Sequence, residues 1–390
     1  MIRKILFLLF PIALFSYSYG QRSNNISIGT RDSIYSKILN EKREFWISVP
    51  NDPENPGKQY PVVYLLDGDW HFHSFTGIVD HMDEFMGNSL IPDMIVVGIV
   101  NTDRGRDFTP TRDSVSIMNS GGANAFTDFL DKELIPYIDS LYPSADYRTL
   151  VGHSLGGLFA VNTLLKHGSM FDSYLILDPA LHWDGQMLIR QSKALLRLKK
   201  FHNINVYMAI AHPMNPRIDS TQAMKDTNNT TLGFRSNILF ANYLRGGHGN
   251  NMKFKTKYFE NETHSTLTLP GSYEGLKYLF DFYKRPILDV LNDSSASIIV
   301  AHYKKITRTM GYPILPPSNL ISGLAWRYRL DKRYDDGMNF LEILSKNYPD
   351  YPVIYDEMGI IMKETGKTKK SDEYFNKAKK LRTAMKRSTN

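Results

Sequence analysis

The stretch of sequence that decides the fold is RTLVGHSLGGLFAVNTLL, residues 148–165. It opens on a short strand-like run that ends at Val151, and from Leu158 onward its apolar residues follow helical spacing, so it predicts a strand followed by a helix. The turn between them reads GHSLG and places one glycine two residues before Ser154 and another two residues after it. A sharp strand-to-helix turn leaves no room for side chains at those positions. We therefore expect Ser154 at the tip of a strained turn, at the carboxyl edge of a sheet.

Further apolar runs of strand length flank this stretch on both sides. Between two of them, residues 124–141 place large apolar side chains at helical spacing. Apolar strands that alternate with helices are typical of a mainly parallel sheet covered on both faces. This alternation predicts a doubly wound α/β fold, and the G-x-S-x-G turn at Ser154 makes it one of the α/β-hydrolase type. The predicted strands are residues 60–66, 94–100, 148–152, 173–177, 204–210 and 253–259.

The end of the chain is helical in pattern and shows an internal repeat of 34 residues. Small residues alternate with large apolar ones as in tetratricopeptide repeats, and the region resembles a pair of them; a helical cap on the first domain is the alternative. Because so few repeats cannot bury a core alone, we expect their apolar seam to pack against the first domain, a protein partner or a second copy. The consensus positions are Ile321, Leu324, Ala325, Tyr328, Gly337, Leu341, Leu344 and Pro349, then Tyr355, Met358, Gly359, Met362, Ser371, Phe375 and Ala378.

These patterns divide the chain into four predicted parts. They are a signal peptide (1–20), an α/β-hydrolase catalytic domain (21–290), a Pro-rich linker (291–317) and a tetratricopeptide-like helical domain with a basic tail (318–390). Residues 363–390 hold ten Lys/Arg and three Asp/Glu, which accounts for the whole net charge of +7. A surplus of positive charge that is confined to one terminal helix is typical of a solvated helix face. We therefore expect no nucleic-acid partner.

The N-terminus has the pattern of an export signal. Arg3 and Lys4 precede an apolar run over residues 5–15, and small residues stand before Gln21, where we expect cleavage. That run is shorter than the roughly twenty apolar residues of a membrane span, and no later segment is a candidate span. We therefore expect an exported, periplasmic or secreted protein. The sequence contains no Cys, so neither a lipid-modified Cys nor a disulfide is expected.

Ser154 is the candidate nucleophile, because the predicted strand–turn–helix exposes its hydroxyl; a glycine-rich turn that only packs a helix on a sheet is the alternative. The backbone N–H of Leu155 would lie at a helix N-terminus, where partial positive charge stabilises an oxyanion. A serine hydroxyl needs a base to take its proton, and in this fold the base is a histidine after the last strand. His264 follows the strand that ends at Phe259 and is the candidate base. His153, inside the turn, is expected to point away from substrate.

Several carboxylates could orient His264. The usual place, after the penultimate strand at residues 204–210, offers no carboxylate before Asp219. Asp178 ends the preceding strand and is topologically allowed, and we favour it. Glu262 is so near His264 in sequence that its approach to the imidazole is difficult. A Ser–His pair without an acid is a further alternative.

The loop after the strand at residues 60–66 reads DGDW at residues 67–70, and the N–H of Asp69 is the expected second oxyanion donor. His71 and His73 follow, but a zinc site would need further ligands at metal spacing. We predict neither a metal nor a cofactor.

Taken together, seven segments spread over most of residues 30–285 resemble one family. They are LDG (66–68), NTDR (101–104), RDFTP (106–110), SGGA (120–123), GHSLGG (152–157), DP with WD (178–179, 183–184) and ETH (262–264). The resemblance is to the esterase D-like esterases, in their siderophore (enterochelin) esterase branch. It implies ester hydrolysis by Ser154 and His264. It also implies that Arg104 or Arg106 lines the site for an acidic or catecholate substrate; an ion pair with Asp103 or Asp107 is the alternative for both.

The sequence thus predicts an exported serine esterase that acts on a small-molecule or glycan ester through an acyl-enzyme. A siderophore ester is the first candidate substrate. A carbohydrate esterase that removes acetyl or feruloyl groups from plant polysaccharide is one alternative. The other is an inactive hydrolase scaffold that carries a tetratricopeptide binding module.

Overall fold

The computed structural model of the chain describes residues 27–50, 57–83, 90–113, 115–198, 201, 203–213, 218–246, 252–286, 288 and 290–388. The predicted signal peptide lies outside these residues. Within these ranges, no helix combines the length and the apolar character that a bilayer span requires.

The strands of the described residues form a single sheet. They are β1 (Thr30–Ser36), β2 (Glu41–Ser48), β3 (Tyr60–Leu65), β4 (Ile95–Ile99), β5 (Ser144–His153), β6 (Ser173–Leu177), β7 (Ile204–Ala211) and β8 (Met252–Phe259). Their order is β1-β2-β4-β3-β5-β6-β7-β8. All neighbours from β4 to β8 are parallel, whereas β2 runs antiparallel to β1 and to β4. The predicted doubly wound, mainly parallel sheet is confirmed.

The sequence pattern does not reveal β1 and β2, which form an antiparallel hairpin at one edge of the sheet. In β2 the buried residues Arg43, Phe45 and Ile47 alternate with more exposed ones. The strands β3, β4 and β6, by contrast, are buried at every position. Because an edge hairpin has one face near solvent, buried and exposed residues alternate along its strands, and its sequence lacks the continuous apolar run of a central strand.

At the other edge, β8 also alternates. Lys253, Lys255 and Lys257 are exposed, while the residues between them are half-buried. The strand is the last in the order, so β7 is its neighbour in the sheet.

Helices cover both faces of the sheet. The first group is α1 (Gly68–Asp83), α2 (Arg104–Phe108), α3 (Ala123–Phe129), α4 (Ile135–Leu141), α5 (Leu155–His167), α6 (Trp183–Leu198), α7 (Ser220–Lys225), α8 (Asn229–Arg245) and α9 (Thr268–Leu279). A π-helical turn (Leu130–Leu134) joins α3 to α4, so the helix predicted over residues 124–141 is continuous. Short 3-10 turns follow at Gly168–Met170 and Asp281–Tyr283.

The remaining helices are α10 (Ser295–Met310), α11 (Ser318–Leu330), α12 (Tyr334–Asn347), α13 (Pro352–Glu364) and α14 (Thr368–Ser388). The starts of α11 and α13 are 34 residues apart, as are those of α12 and α14. The structure therefore has an all-helical region with the periodicity of the sequence, and its relation to tetratricopeptide repeats stays a prediction. Ser371 donates a hydrogen bond to the carbonyl oxygen of Gly359 at 2.9 Å, which joins α14 to α13.

Residues 291–317, the predicted linker, contain α10 instead of an extended connection. Ile299, Tyr303 and Ile306 of this helix are buried, at the spacing of one helix face. They belong to an apolar cluster that begins on one face of the sheet, includes α1 and α9, and continues through α10 to α14. A second cluster fills the other face under α3, α4, α5, α6 and α8. The helical region thus packs against the sheet layer, and the predicted division into domains stays a prediction.

Candidate active site

Ser154 occupies the turn between β5 and α5 with φ 59° and ψ −116°, a conformation that non-glycine residues rarely adopt. A Cβ atom on Gly152 would lie 2.2 Å from the carbonyl oxygen of Gly156, so a side chain cannot fit there. The Ser154 N–H donates to the Leu177 carbonyl at 3.1 Å, and its own carbonyl accepts the Ala180 N–H at 2.9 Å. These bonds hold Ser154 at the carboxyl end of β5.

Two helices begin beside this turn. Leu155 is the first residue of α5, and Asp69 lies in the first turn of α1. N–H groups in the first turn of a helix have no acceptor within the helix. Because β3 and β5 are neighbours in the sheet, the helices that follow them begin at adjacent positions on the same edge.

His264 lies in the loop between β8 and α9, residues 260–267, which we call the His264 loop. Its Nδ1 atom lies 2.6 Å from Oδ2 of Asp178, the residue that directly follows β6. The other oxygen of Asp178 accepts hydrogen bonds from the Ala211 N–H at 3.2 Å and from Asn237 Nδ2 at 3.0 Å. The side chain of Asp178 is 13% exposed and that of His264 is 41% exposed. The carboxylate is therefore fixed, while the imidazole reaches solvent.

No contact among the described residues joins the other carboxylates considered for this position to the His264 ring. Asp219 is the N-cap of α7 and accepts the Gln222 N–H at 2.7 Å within a capping box. Glu262 contributes its backbone carbonyl, which accepts the His212 N–H at 2.9 Å. Asp178 is thus the carboxylate that contacts the His264 ring. Sequence reasoning did not find Asn237, because a buried asparagine in the middle of a helix has no distinctive spacing.

Ser154, Asp178 and His264 line one cavity of about 160 Å³. Among the described residues, no hydrogen bond joins the Ser154 hydroxyl to His264; such bonds are often long in ligand-free enzymes and shorten when substrate binds. The other described residues around the cavity are Pro179, Ala180, His182, Ala211, His212, Pro213, Asn229, Thr230, Gly233, Phe234 and Asn237.

His153 is 9% exposed and does not belong to the described lining of this cavity. Its Nε2 atom lies 2.8 Å from the backbone carbonyl oxygen of His264, and the two imidazole centroids are 4.5 Å apart. Burial, reinforced by the neighbouring His264, lowers the pKa of His153 to about 4. The His153 ring is therefore neutral at neutral pH.

Arg104 binds a buried carboxylate beneath the turn. Its Nε and Nη2 atoms donate to the two oxygens of Asp67 at 2.6 and 3.0 Å, and Asp67 is fully buried. Asn101 Nδ2 donates to the same carboxylate at 2.8 Å. A Cβ atom on Gly156 would lie 3.1 Å from Oδ2 of Asp67. The ion pair therefore lies directly against the first turn of α5.

Arg106 donates to Asp107 at 2.7 Å and to Glu41 at 2.5 Å. The described lining of the cavity at Ser154 includes neither Arg106 nor Arg104. The structural ion pair considered for Arg106 is therefore present with Asp107. For Arg104 the partner is Asp67 rather than Asp103, because the neighbouring strands β3 and β4 bring distant residues together.

His71 and His73 point in different directions from α1. The His71 ring contacts His153 at a centroid distance of 5.6 Å, and the His73 ring contacts Trp46 at 6.3 Å. In the part of the chain that the structure describes, no group of three or more His, Asp or Glu side chains could hold a metal ion.

Comparisons with known proteins agree with this architecture. The model of the Esterase family matches residues 36–234. Ferri-bacillibactin esterase BesA of Bacillus subtilis is 31% identical over 211 residues, which are 49% of this chain and 73% of that protein. The siderophore enterobactin esterase of Emericella nidulans is 24% identical over 253 residues, with 57% of this chain and 83% of that protein covered.

A solved structure is also similar to this chain. An IroE-like serine hydrolase from Shewanella oneidensis superimposes with a TM-score of 0.67 at 27% identity, over 81% of this chain and 98% of that one. The family match spans Ser154 and Asp178. The chain belongs to the Esterase family and is a carboxylic ester hydrolase of the α/β-hydrolase fold.

Proposed function

We propose that this esterase hydrolyses a siderophore ester through an acyl-enzyme on Ser154, with His264 as general base and Asp178 as the residue that orients it. The observation that supports the mechanism most directly is the 2.6 Å contact between His264 Nδ1 and Asp178 Oδ2. Both side chains line the cavity that also contains Ser154.

The reaction follows from this arrangement. A carboxylate accepts a hydrogen bond from Nδ1–H of His264, so Nε2 is the nitrogen that takes the proton of the Ser154 hydroxyl. The Ser154 oxygen attacks the ester carbonyl carbon, and the N–H groups of Leu155 and Asp69 bind the oxyanion. His264 then gives the proton to the departing alkoxide, which leaves as the alcohol. Water, deprotonated by His264, hydrolyses the acyl-enzyme and restores Ser154.

Ser154→Ala and His264→Ala should each lower kcat by about 10³-fold or more, because one removes the nucleophile and the other its base. The measurement is hydrolysis of a short p-nitrophenyl ester, with covalent labelling by a fluorophosphonate. Ser265→Ala and His73→Ala are matched controls on exposed residues. A His264→Ala protein that keeps more than about a tenth of wild-type kcat is inconsistent with general-base catalysis by this residue.

Asp178→Asn should lower kcat by about 10⁴-fold, as in a serine protease triad in which the imidazole takes the wrong tautomer. Asp219→Asn makes the same chemical change at a helix N-cap, where Asn and Asp are equivalent, and should leave kcat unchanged. Steady-state kinetics of the two variants side by side decide between the carboxylates. If both variants are fully active, the protein works as a Ser–His pair.

The names of two relatives support a siderophore ester as substrate: a ferri-bacillibactin esterase and a siderophore enterobactin esterase. We expect kcat/KM for siderophore lactones to exceed that for acetylated xylan, feruloyl esters and p-nitrophenyl esters by at least about 10²-fold, which differential transition-state binding can supply. Ser154→Ala gives the background rate for each ester. A preference for xylan or feruloyl esters would assign the protein to carbohydrate esterases.

We also propose that the protein is exported, on the strength of Arg3, Lys4 and the apolar run that follows them. In a bacterial host the mature chain should begin at Gln21, which intact-mass measurement of the extracytoplasmic fraction detects. A double variant, Arg3→Glu with Lys4→Glu, should remain in the cell. A full-length wild-type chain found only in the cytoplasm would contradict export.

A further inference from the structure

The His264 loop has to extend back across the sheet. His264 follows β8, whereas Ser154 follows β5, and β6 and β7 lie between those strands. At about 4.8 Å between neighbouring strands, the lateral distance is on the order of 14 Å. A loop that reaches so far from its own strand positions a side chain accurately only if other parts of the protein hold it.

Hydrogen bonds from the ends of β7, β6 and β5 hold the His264 loop. After β7, the N–H of His212 donates to the Glu262 carbonyl at 2.9 Å. After β6, Asp178 binds His264 Nδ1 at 2.6 Å. At the end of β5, His153 Nε2 lies 2.8 Å from the backbone carbonyl of His264. Of these three contacts, the one with His153 connects His264 to the strand that precedes the nucleophile.

The chemistry of this contact fixes the state of His153. A carbonyl oxygen only accepts hydrogen bonds, so Nε2 of His153 must carry the hydrogen. The pKa of about 4 keeps the ring uncharged. An imidazolium at this position would oppose the positive charge that His264 acquires during acyl transfer, since the ring centroids are only 4.5 Å apart.

We propose that His153 is a positioning residue for His264, which it holds in place through the hydrogen bond from Nε2 to the His264 carbonyl and through contact between the two rings. This inference rests on the role of His264 proposed above. His153 does not belong to the described lining of the cavity and acts through His264, so its effect falls on the rate of proton transfer and not on substrate binding.

The test uses the full-length protein with His153→Phe, which keeps an aromatic ring and removes the donor, and His153→Gln, whose amide N–H reaches about as far as Nε2. Because a misplacement of about 1 Å can cost 10²-fold in rate, His153→Phe should lower kcat by roughly 10- to 100-fold, with KM within about threefold of wild type. The rate of fluorophosphonate labelling at Ser154 should fall by a similar factor. His153→Gln should recover most of both rates, and His73→Phe is the matched control on an exposed histidine.

Thermal unfolding and active-site titration establish the folded fraction of each variant. If His153→Phe does not fold, His153→Asn, whose amide is too short to reach the carbonyl, replaces it in the comparison with His153→Gln. A folded donor-free variant with wild-type kcat, a loss confined to KM, or a Gln variant as slow as Phe would each overturn the proposal. An active Ser154→Ala protein would instead remove the proposed mechanism, and this inference with it.

Discussion

The site depends on the lack of a side chain at Gly152, in the turn between β5 and α5. The carbonyl oxygen of Gly156 approaches Gly152 so closely that an added Cβ would lie 2.2 Å away, and this approach brings α5 directly onto the end of β5. The helix N-terminus and the hydroxyl of Ser154 then share one edge of the sheet. Below the turn, the buried pair of Asp67 and Arg104 stabilises the same geometry with charge, since a carboxylate without its partner would be costly to bury.

The parallel arrangement of β3 to β8 brings the remaining groups to this edge. The carboxyl ends of parallel strands lie side by side, so residues from far apart in the sequence, such as Asp69, Asp178 and His264, follow neighbouring or nearby strands. The positions they occupy are then adjusted by local hydrogen bonds. Asn237 and the Ala211 N–H set the orientation of the Asp178 carboxylate, and the ends of β5, β6 and β7 hold the loop of His264.

Local patterns in the sequence are enough to predict the features that depend on neighbouring residues. The glycines around Ser154, the long apolar strands and the histidine after β8 are of this kind. Asp178 is only one of several carboxylates by sequence, because its contact with His264 depends on the path of a loop. The hairpin of β1 and β2, the pairing of Arg104 with Asp67, and the contacts of His153 and Asn237 depend on tertiary structure. The helix within residues 291–317 is missed because the prolines at 313, 316 and 317, which follow its end at Met310, indicate a linker for the whole segment.

The exposed lysines of β8 have a consequence for association between molecules. An edge strand offers unpaired N–H and C=O groups to any other strand, and edge-to-edge pairing is the start of aggregation. Lys253, Lys255 and Lys257 lie at alternate positions along this edge. A second copy added in antiparallel register would bring like charges opposite one another, which destabilises the pair. Electrostatic repulsion between these lysines, of which Lys257 also lies 3.7 Å from Glu274, thus opposes growth of the sheet at the strand that leads into the His264 loop.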